Sequence, residues 1–417
     1  MRRAAARVTL AVAAAILLAG SFASARPAAA DAWREPDRVD RVLARWWPDG
    51  ASGTVLVAPG DGPARCRGFG LADRAARIPA GCDTVYDLMS MTKQFTAAAV
   101  VKLASDGRLR LDDPMSRYLG PVPAGKRAIT VRHLLAHEAG LPEALGDDYA
   151  PLTRERLVRA ALRAPLVARP GSGFRYSNVG YSLLAAIVER VSGASYERHL
   201  ARELFAPAGM HSTGYVLPRW RSTRVAVEYD ARGRSHGRPY DHPWMSDGPS
   251  WNLRGNGGLL STPRDVLRWH RALRGERILD RAAKRELFAP RNPLGIPGYD
   301  AFREAYGWTV GPFDGGRLAT HSGGNGWSYG VIARTLDDGG LVFWVSNAAA
   351  WRGRWNLAAD ARAMTLALAT PNRARGGHRA RRRPACADPR RAAARRPASV
   401  EDSHRTSRHL RAAVTPR

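Results

Sequence analysis

Ser90 and Lys93, within Asp87-Leu88-Met89-Ser90-Met91-Thr92-Lys93-Gln94-Phe95, are the pair whose types and spacing can do chemistry. Residues three apart on a helix are neighbours, so a helix opening here brings Ser90 Oγ to Lys93 Nζ. The apolar run through Leu103 carries that helix on, and Gly107 is its natural stop. Ser90 then sits in the first turn, where unpaired N–H groups and the positive dipole end stabilise an anion. Serine is a weak nucleophile until a base takes its proton, and lysine becomes that base when desolvation lowers its pKa toward neutrality. Arginine cannot do this. The chain holds 65 Lys plus Arg, and only Lys93, Lys102, Lys126 and Lys284 are lysines. The plain reading is an N-cap serine followed by a surface lysine. The scarcity of lysine weighs against it.

Two more stretches carry matching chemistry. Phe174-Arg175-Tyr176-Ser177-Asn178-Val179-Gly180-Tyr181 sets a phenol two residues before a carboxamide, in a turn that precedes a helix. A tyrosine among cations can lose its proton near neutral pH and act as general base, while Asn178 can bond a substrate amide. Thr320-His321-Ser322-Gly323-Gly324-Asn325-Gly326 lies at a strand end. Its glycines let a substrate backbone approach, and an edge N–H near Gly323 or Gly324 can be a second oxyanion donor. Alone, each stretch is an ordinary turn.

The elements that must position these residues come from both ends of the chain. Gly53 to Ala58 and Cys66 to Leu71 read as a hairpin, after a helix over Asp37 to Trp47. From Gly107 to about Met210 the periodicity is helical, with Leu157 to Ala164, Gly180 to Val191 and Tyr196 to Phe205 as segments and Ser195 as an N-cap. Thr262-Pro263-Arg264-Asp265 opens a further helix. From Tyr306 the period becomes two, giving strands over Tyr306 to Phe313, Arg317 to His321, Trp327 to Thr335 and Leu341 to Ser346, before a closing helix at Leu357 to Leu368. The fold class is therefore α/β (α+β): an antiparallel sheet built from N- and C-terminal segments and flanked by helices. A mostly helical lobe over about 107–260 adds the other wall of the cleft. The loop after Asp230, rich in Gly, Pro and His, is expected to cover the site.

Residues 1–30 read as an export signal, with Arg2, Arg3 and Arg7 before an apolar core at Val8 to Gly20 and small-residue exits near Ala25 and Ala30. The expectation is a secreted, periplasmic or extracellular protein. Export permits a bridge between Cys66 and Cys82, two buried thiols being the alternative. Cys386 is left over in residues 372–417, a tail with 14 Arg against Asp388, Glu401 and Asp402 and almost no large apolar residue. Such a segment is expected to be disordered, and 31–371 is then the folded domain. The formal charge of +28 suits anionic cell-envelope polymers or lipid head groups. Nucleic acid is not expected, because the tail lacks interleaved aromatics.

Taken in order, the three stretches resemble the serine β-lactamase and DD-peptidase superfamily, in particular the branch of class C β-lactamases, D-alanyl-D-alanine carboxypeptidases and related esterases. Leu111-Asp112-Asp113-Pro114, His133 to Pro142, Leu204 to Met210 and Gly257 to Thr262 add to the likeness, which spans roughly residues 35–370. The resemblance implies a β-lactamase/transpeptidase-like fold and a cofactor-free, metal-free acyl-enzyme mechanism on a small-molecule or peptide substrate: a cell-wall D-peptide, an ester or a β-lactam. Ser90 is then the nucleophile, Lys93 and Tyr176 share the proton work, and Asn178 with His321, Ser322 and Gly323 binds substrate. Backbone N–H groups of Ser90 and Gly324 form the oxyanion hole. His321 stands where β-lactamases have lysine and resembles the peptidase and esterase members; a neutral imidazole pulls less on a substrate carboxylate.

Three other readings compete. Gly326-Trp327-Ser328-Tyr329-Gly330 matches a nucleophile elbow, yet a strand rather than a helix follows it. His133 and His137 can ligate zinc with Glu138, but no H-E-x-x-H is present. A non-catalytic envelope protein that binds penicillin or peptidoglycan can keep the same pocket.

Overall fold

The computed structural model describes residues 38–60, 62–296, 298–313, 316–351 and 354–370. The stretches read above as an export signal and a tail, with Cys386, lie outside the described residues. Seven strands make one antiparallel sheet: β1 (Gly53–Ala58), β2 (Arg65–Phe69), β3 (Arg303–Glu304), β4 (Thr309–Phe313), β5 (Gly316–Gly324), β6 (Tyr329–Thr335) and β7 (Leu341–Ser346). Their spatial order is β2-β1-β7-β6-β5-β4-β3. β1 pairs with β7, Leu56 opposite Phe343, so the two ends of the chain close one sheet.

The longer helices are α1 (Arg38–Trp46), α2 (Lys93–Ser105), α3 (Arg154–Arg163), α4 (Asn178–Ser192), α5 (Pro263–Arg274) and α6 (Leu357–Ala369). Val55, Val57, Val331, Val342 and Trp344 pack with Leu43 of α1 and with Leu357 and Met364 of α6. Their neighbours Leu56, Ile332, Phe343 and Val345 point to the opposite face, into the core that holds Phe95 and Val100. Both faces are covered, which is why β1 and β7 are continuous apolar runs rather than alternating ones. In α2, every residue from Lys93 to Val101 is buried, so this helix is the centre of the lobe and a firm base for the turn that precedes it.

Several expectations shift at their edges. The strand expected from Tyr306 begins at Thr309, because Gly307 turns at φ +69 with no room for a side chain beside Lys93 O. The helix expected over Tyr196 to Phe205 stops at Leu200 and continues as a wider turn, with Ala206 N–H reaching back to Ala201 O. Ser195 does not cap it. Glu189 Oε1 takes the Tyr196 N–H instead, at 2.8 Å, since a carboxylate out-competes a hydroxyl for a backbone donor. Thr262 does cap α5, accepting from Asp265 N–H at 3.2 Å. After Met210 the lobe is mostly loop, which departs from the helical reading to 260. Cys66 and Cys82 form a disulfide with Cα atoms 6.0 Å apart, settling the pairing over the free thiols.

Candidate active site

Ser90 sits in a tight turn over Met89–Thr92 that feeds directly into α2. The turn is held from both sides. Tyr86–Asp87 pairs with Leu260–Ser261, and Leu88 N–H donates to Leu259 O at 2.8 Å. Met89 takes a left-handed φ of +49, a conformation that costs an L side chain about 1–2 kcal/mol. Asp87 Oδ1, accepting the Met89 N–H at 2.6 Å, holds it there.

The expected pair meets. Lys93 Nζ lies 3.1 Å from Ser90 Oγ and donates to Asn256 O at 2.8 Å. The amine is fully buried, and burial lowers its pKa to about 7, with Asp148, Glu143 and Glu304 pulling it back up. A neutral amine is therefore available near pH 7. Tyr176 OH also reaches Ser90 Oγ, at 3.1 Å, and Lys93 Nζ stands 4.8 Å above the Tyr176 ring.

The expectation that Tyr176 gives up its proton near neutrality meets an opposing influence. Burial raises its phenol well above the ordinary range, and Glu304, Glu143 and Asp148 add to the rise. Its surroundings are acidic rather than cationic. Burial thus acts in opposite senses on the two groups beside Ser90 Oγ, favouring the neutral amine of Lys93 and the neutral phenol of Tyr176.

What fixes Tyr176 comes from residues the sequence did not single out for this. His137, at φ +55 and buried, stacks on the Tyr176 ring at 4.5 Å and accepts the Ser177 N–H on Nδ1 at 3.0 Å. Its Nε2 faces Glu304 Oε1 at 4.0 Å, and burial pushes the pKa of that carboxyl well above its usual value. Burial and Lys93 hold the imidazole neutral. His133 instead caps its own short helix through Nδ1, so neither histidine is arranged as a zinc ligand. Ser177 caps α4, accepting from Gly180 N–H at 3.1 Å, which places Asn178 on the first turn. Asn178 Oδ1 is buried and has no hydrogen-bond partner among the described residues, as a group kept for a substrate N–H would be.

The third stretch comes in along β5. His321 and Gly323 share a face with Ile332 and Gly330, the face turned toward α2. A β carbon on Gly323 would lie 2.8 Å from Ser90 N, so only glycine lets the strand pass the Ser90 turn. Ser322 alternates to the opposite face, opposite Val331 and exposed, so the structure does not bring its hydroxyl to Ser90. Asn325 N–H donates to Ser328 O at 3.3 Å, toward β6. Successive strand N–H groups alternate sides, so the Gly324 N–H faces the edge of β5 that β4 leaves free beyond Thr320. Burial and the nearby Lys93 push the His321 imidazole down to about 3, so it acts as a neutral group.

Ser328, the competing nucleophile, is buried, donates to Glu228 Oε1 at 2.6 Å and leads into β6. It is not on a strand-to-helix elbow, and its hydroxyl is tied up by the buried Glu228 carboxyl. The loop after Asp230 does border the site: His236 stacks on Trp327 at 4.2 Å, and His242 on Tyr149 at 4.0 Å. Glu228 and the Asn256 carbonyl are not legible in that part of the sequence, the second because any residue type supplies a carbonyl.

A family model described as Beta-lactamase matches residues 49–367. The chain is similar to penicillin-binding protein 4* of Bacillus subtilis, 28% identical over 71% of this chain and 68% of that one. For other curated relatives the span falls to 59% or 35% of their length. Among solved structures it is similar to the octameric penicillin-binding protein homologue from Pyrococcus abyssi, with a TM-score of 0.65 and 27% identity over 78% of this chain and 74% of that chain. It is similar too to D-amino acid amidase from Ochrobactrum anthropi SV3, with a TM-score of 0.65 and 25% identity over 80% of this chain and 95% of that chain.

Proposed function

The chain belongs to the Beta-lactamase family and is a serine hydrolase of that fold, and on this premise we propose that it cleaves amide bonds of cell-wall D-amino-acid peptides through a Ser90 acyl-enzyme. The observation that carries the reading is the buried Lys93 amine, with its pKa near 7, at 3.1 Å from Ser90 Oγ. Lys93 takes the Ser90 proton as Oγ attacks the substrate carbonyl. The oxyanion that forms is met by the Ser90 and Gly324 N–H groups, donors already fixed by the turn and the strand. Tyr176 delivers a proton to the leaving amine and recovers one from the Lys93 ammonium. Water then attacks the ester by the same route in reverse. Asn178 holds the substrate amide.

A second reading, hydrolysis of small esters or amides that carry no carboxylate, is favoured by His321. A neutral imidazole offers no full charge to a substrate carboxylate, so penicillins and peptides with a free C-terminus lose that attraction. Export is part of the proposal, supported by the basic and apolar start of the chain and by a disulfide that suits an oxidising compartment. The Arg-rich tail is proposed to contact anionic envelope polymers.

The test is a substrate panel on purified wild type and Ser90→Ala: a D-alanyl-D-alanine peptide, D-amino acid amides, a chromogenic ester and a chromogenic β-lactam. Turnover of the D-peptide or the D-amides that vanishes in Ser90→Ala supports the main reading. Turnover of the ester alone supports the second. Stoichiometric labelling by a fluorescent penicillin with no turnover of any substrate replaces both with a penicillin-binding protein.

A further inference from the structure

Between the two proposed oxyanion donors lies a partly buried polar bridge that the proton chemistry does not use. Asn325 directly follows Gly324. Its Oδ1 accepts the Ser328 N–H at 2.8 Å and the Trp327 N–H at 3.3 Å, closing the turn between β5 and β6. Its Nδ2 donates to Glu228 Oε1 at 2.9 Å and faces Asp87 Oδ2 at 3.5 Å. Asp87 in turn holds Met89 N–H through its other oxygen, at 2.6 Å. One carboxamide therefore connects the segment that presents the Gly324 N–H to the turn that presents the Ser90 N–H.

Glu228 is anchored well enough to hold Asn325. It accepts Trp327 Nε1–H at 2.7 Å and Ser328 Oγ–H at 2.6 Å. Its segment is stitched to the site by main chain: Ala226 N–H donates to Val85 O at 2.9 Å, two residues before Asp87. The residue type also fits the place. A carboxamide nitrogen carries two N–H donors, enough to face a carboxyl on each side, while its oxygen is free for the turn. Asp87 and Glu228 are both buried, and burial raises both pKa values, with Glu228 adding to the rise at Asp87. The donors of Asn325 are what lets two acids share one small space.

We propose that Asn325, clamped by Glu228 and facing Asp87, is a positioning residue that sets the spacing of the Ser90 and Gly324 N–H groups. The proposal rests on the Ser90 acyl-enzyme reading. Its consequence is a slowing of acylation and of deacylation alike, since both pass through an oxyanion held by these two donors. Oxyanion donors act only if they lie within a few tenths of an ångström of the developing charge, so a relaxed bridge lowers kcat and leaves KM nearly unchanged.

The experiment compares wild type, Asn325→Ala, Asn325→Asp and Glu228→Gln, using a chromogenic ester in rapid-mixing kinetics with burst amplitude counting the competent sites. Asn325→Ala is expected to acylate at least about tenfold more slowly per competent site, with KM changed less than about threefold. Asn325→Asp, which adds a third acid, should be slower still. Glu228→Gln keeps an acceptor for Asn325 and should retain most of the wild-type rate. An unchanged rate per site in Asn325→Ala, even with a lowered Tm, overturns the proposal and leaves Ser90 chemistry intact. A wild type that never acylates Ser90 sinks the underlying reading instead. Crystal structures of wild type and Asn325→Ala then decide the geometry: a wider separation of the Ser90 and Gly324 nitrogens supports the bridge, and an unchanged one refutes it.

Discussion

Gly323 passes the Ser90 turn so closely that a β carbon would stand 2.8 Å both from Ser90 N and from Met89 Cβ. The atoms in the way are the backbone of the Ser90 turn and the root of a buried side chain, neither of which can swing aside. Gly323→Ala is therefore expected to push β5 off the turn and slow Ser90 acylation about tenfold or more. Stopped-flow acylation rates check this, and a rate equal to wild type contradicts the close approach.

The second expectation concerns proton supply. Burial sets the Lys93 amine near pH 7, so the acylation rate should rise with pH through an apparent pKa of about 7 and then level off. His321, already neutral above about 3, adds no step in that range. Lys93→Arg keeps the charge and loses the base, because a guanidinium does not deprotonate, and should abolish acylation. A pH–rate profile of wild type beside Lys93→Arg reads both.

Asp87 gives a stability expectation with a definite sign. Its pKa is raised from the ordinary 3.8 to about 8 by burial and by Glu228. The folded protein then holds a proton that the unfolded chain releases, so between about pH 4 and 8 this group makes stability fall as pH rises. The contribution is complete below the unfolded value and lost once pH passes the folded one. Asp87→Asn removes the titration while keeping an acceptor for Met89 N–H. Urea midpoints at pH 5 and pH 8.5 should therefore converge in Asp87→Asn relative to wild type, and an equal pH slope in both would be evidence against the shift.

The Cys66–Cys82 bridge closes a loop of sequence separation 16. Constraining a loop of that size in the unfolded chain is worth about 3 kcal/mol in the chain-entropy account. The double substitution Cys66→Ser with Cys82→Ser should lower unfolding free energy by about that much, read from urea denaturation, and leave acylation at 25 °C largely intact. The disulfide ties β2 to the segment that leads, four residues on, into Tyr86–Asp87.

Much of the site is legible in the amino-acid sequence because its chemistry is local. Ser90 and Lys93 need only one helical turn between them, Tyr176 and Asn178 need only a capped helix start, and Gly323 announces a close approach by its type. The sheet is legible too, since strands at both ends of the chain cannot find partners except in each other. The rest depends on contacts across long stretches of sequence. Glu228 reaches Ser328 and Asn325 over roughly a hundred residues of chain, and nothing in its neighbourhood marks it. His137 invites a metal reading until its stack on Tyr176 is seen. Tyr176 is legible as a site residue and its protonation is not, because a phenol's pKa follows the burial and charge that the fold assembles around it.

The most direct measurement is to trap the covalent intermediate, digest the protein and locate the adduct by mass. With a slowly released acyl donor such as a penicillin or an activated ester at pH 8, one acyl group per chain should appear on the peptide that contains Ser90. Wild type and Ser328→Ala should carry it, and neither Ser90→Ala nor Lys93→Arg should. An adduct on Ser328, or one that forms at the wild-type rate in Ser90→Ala, would contradict the account.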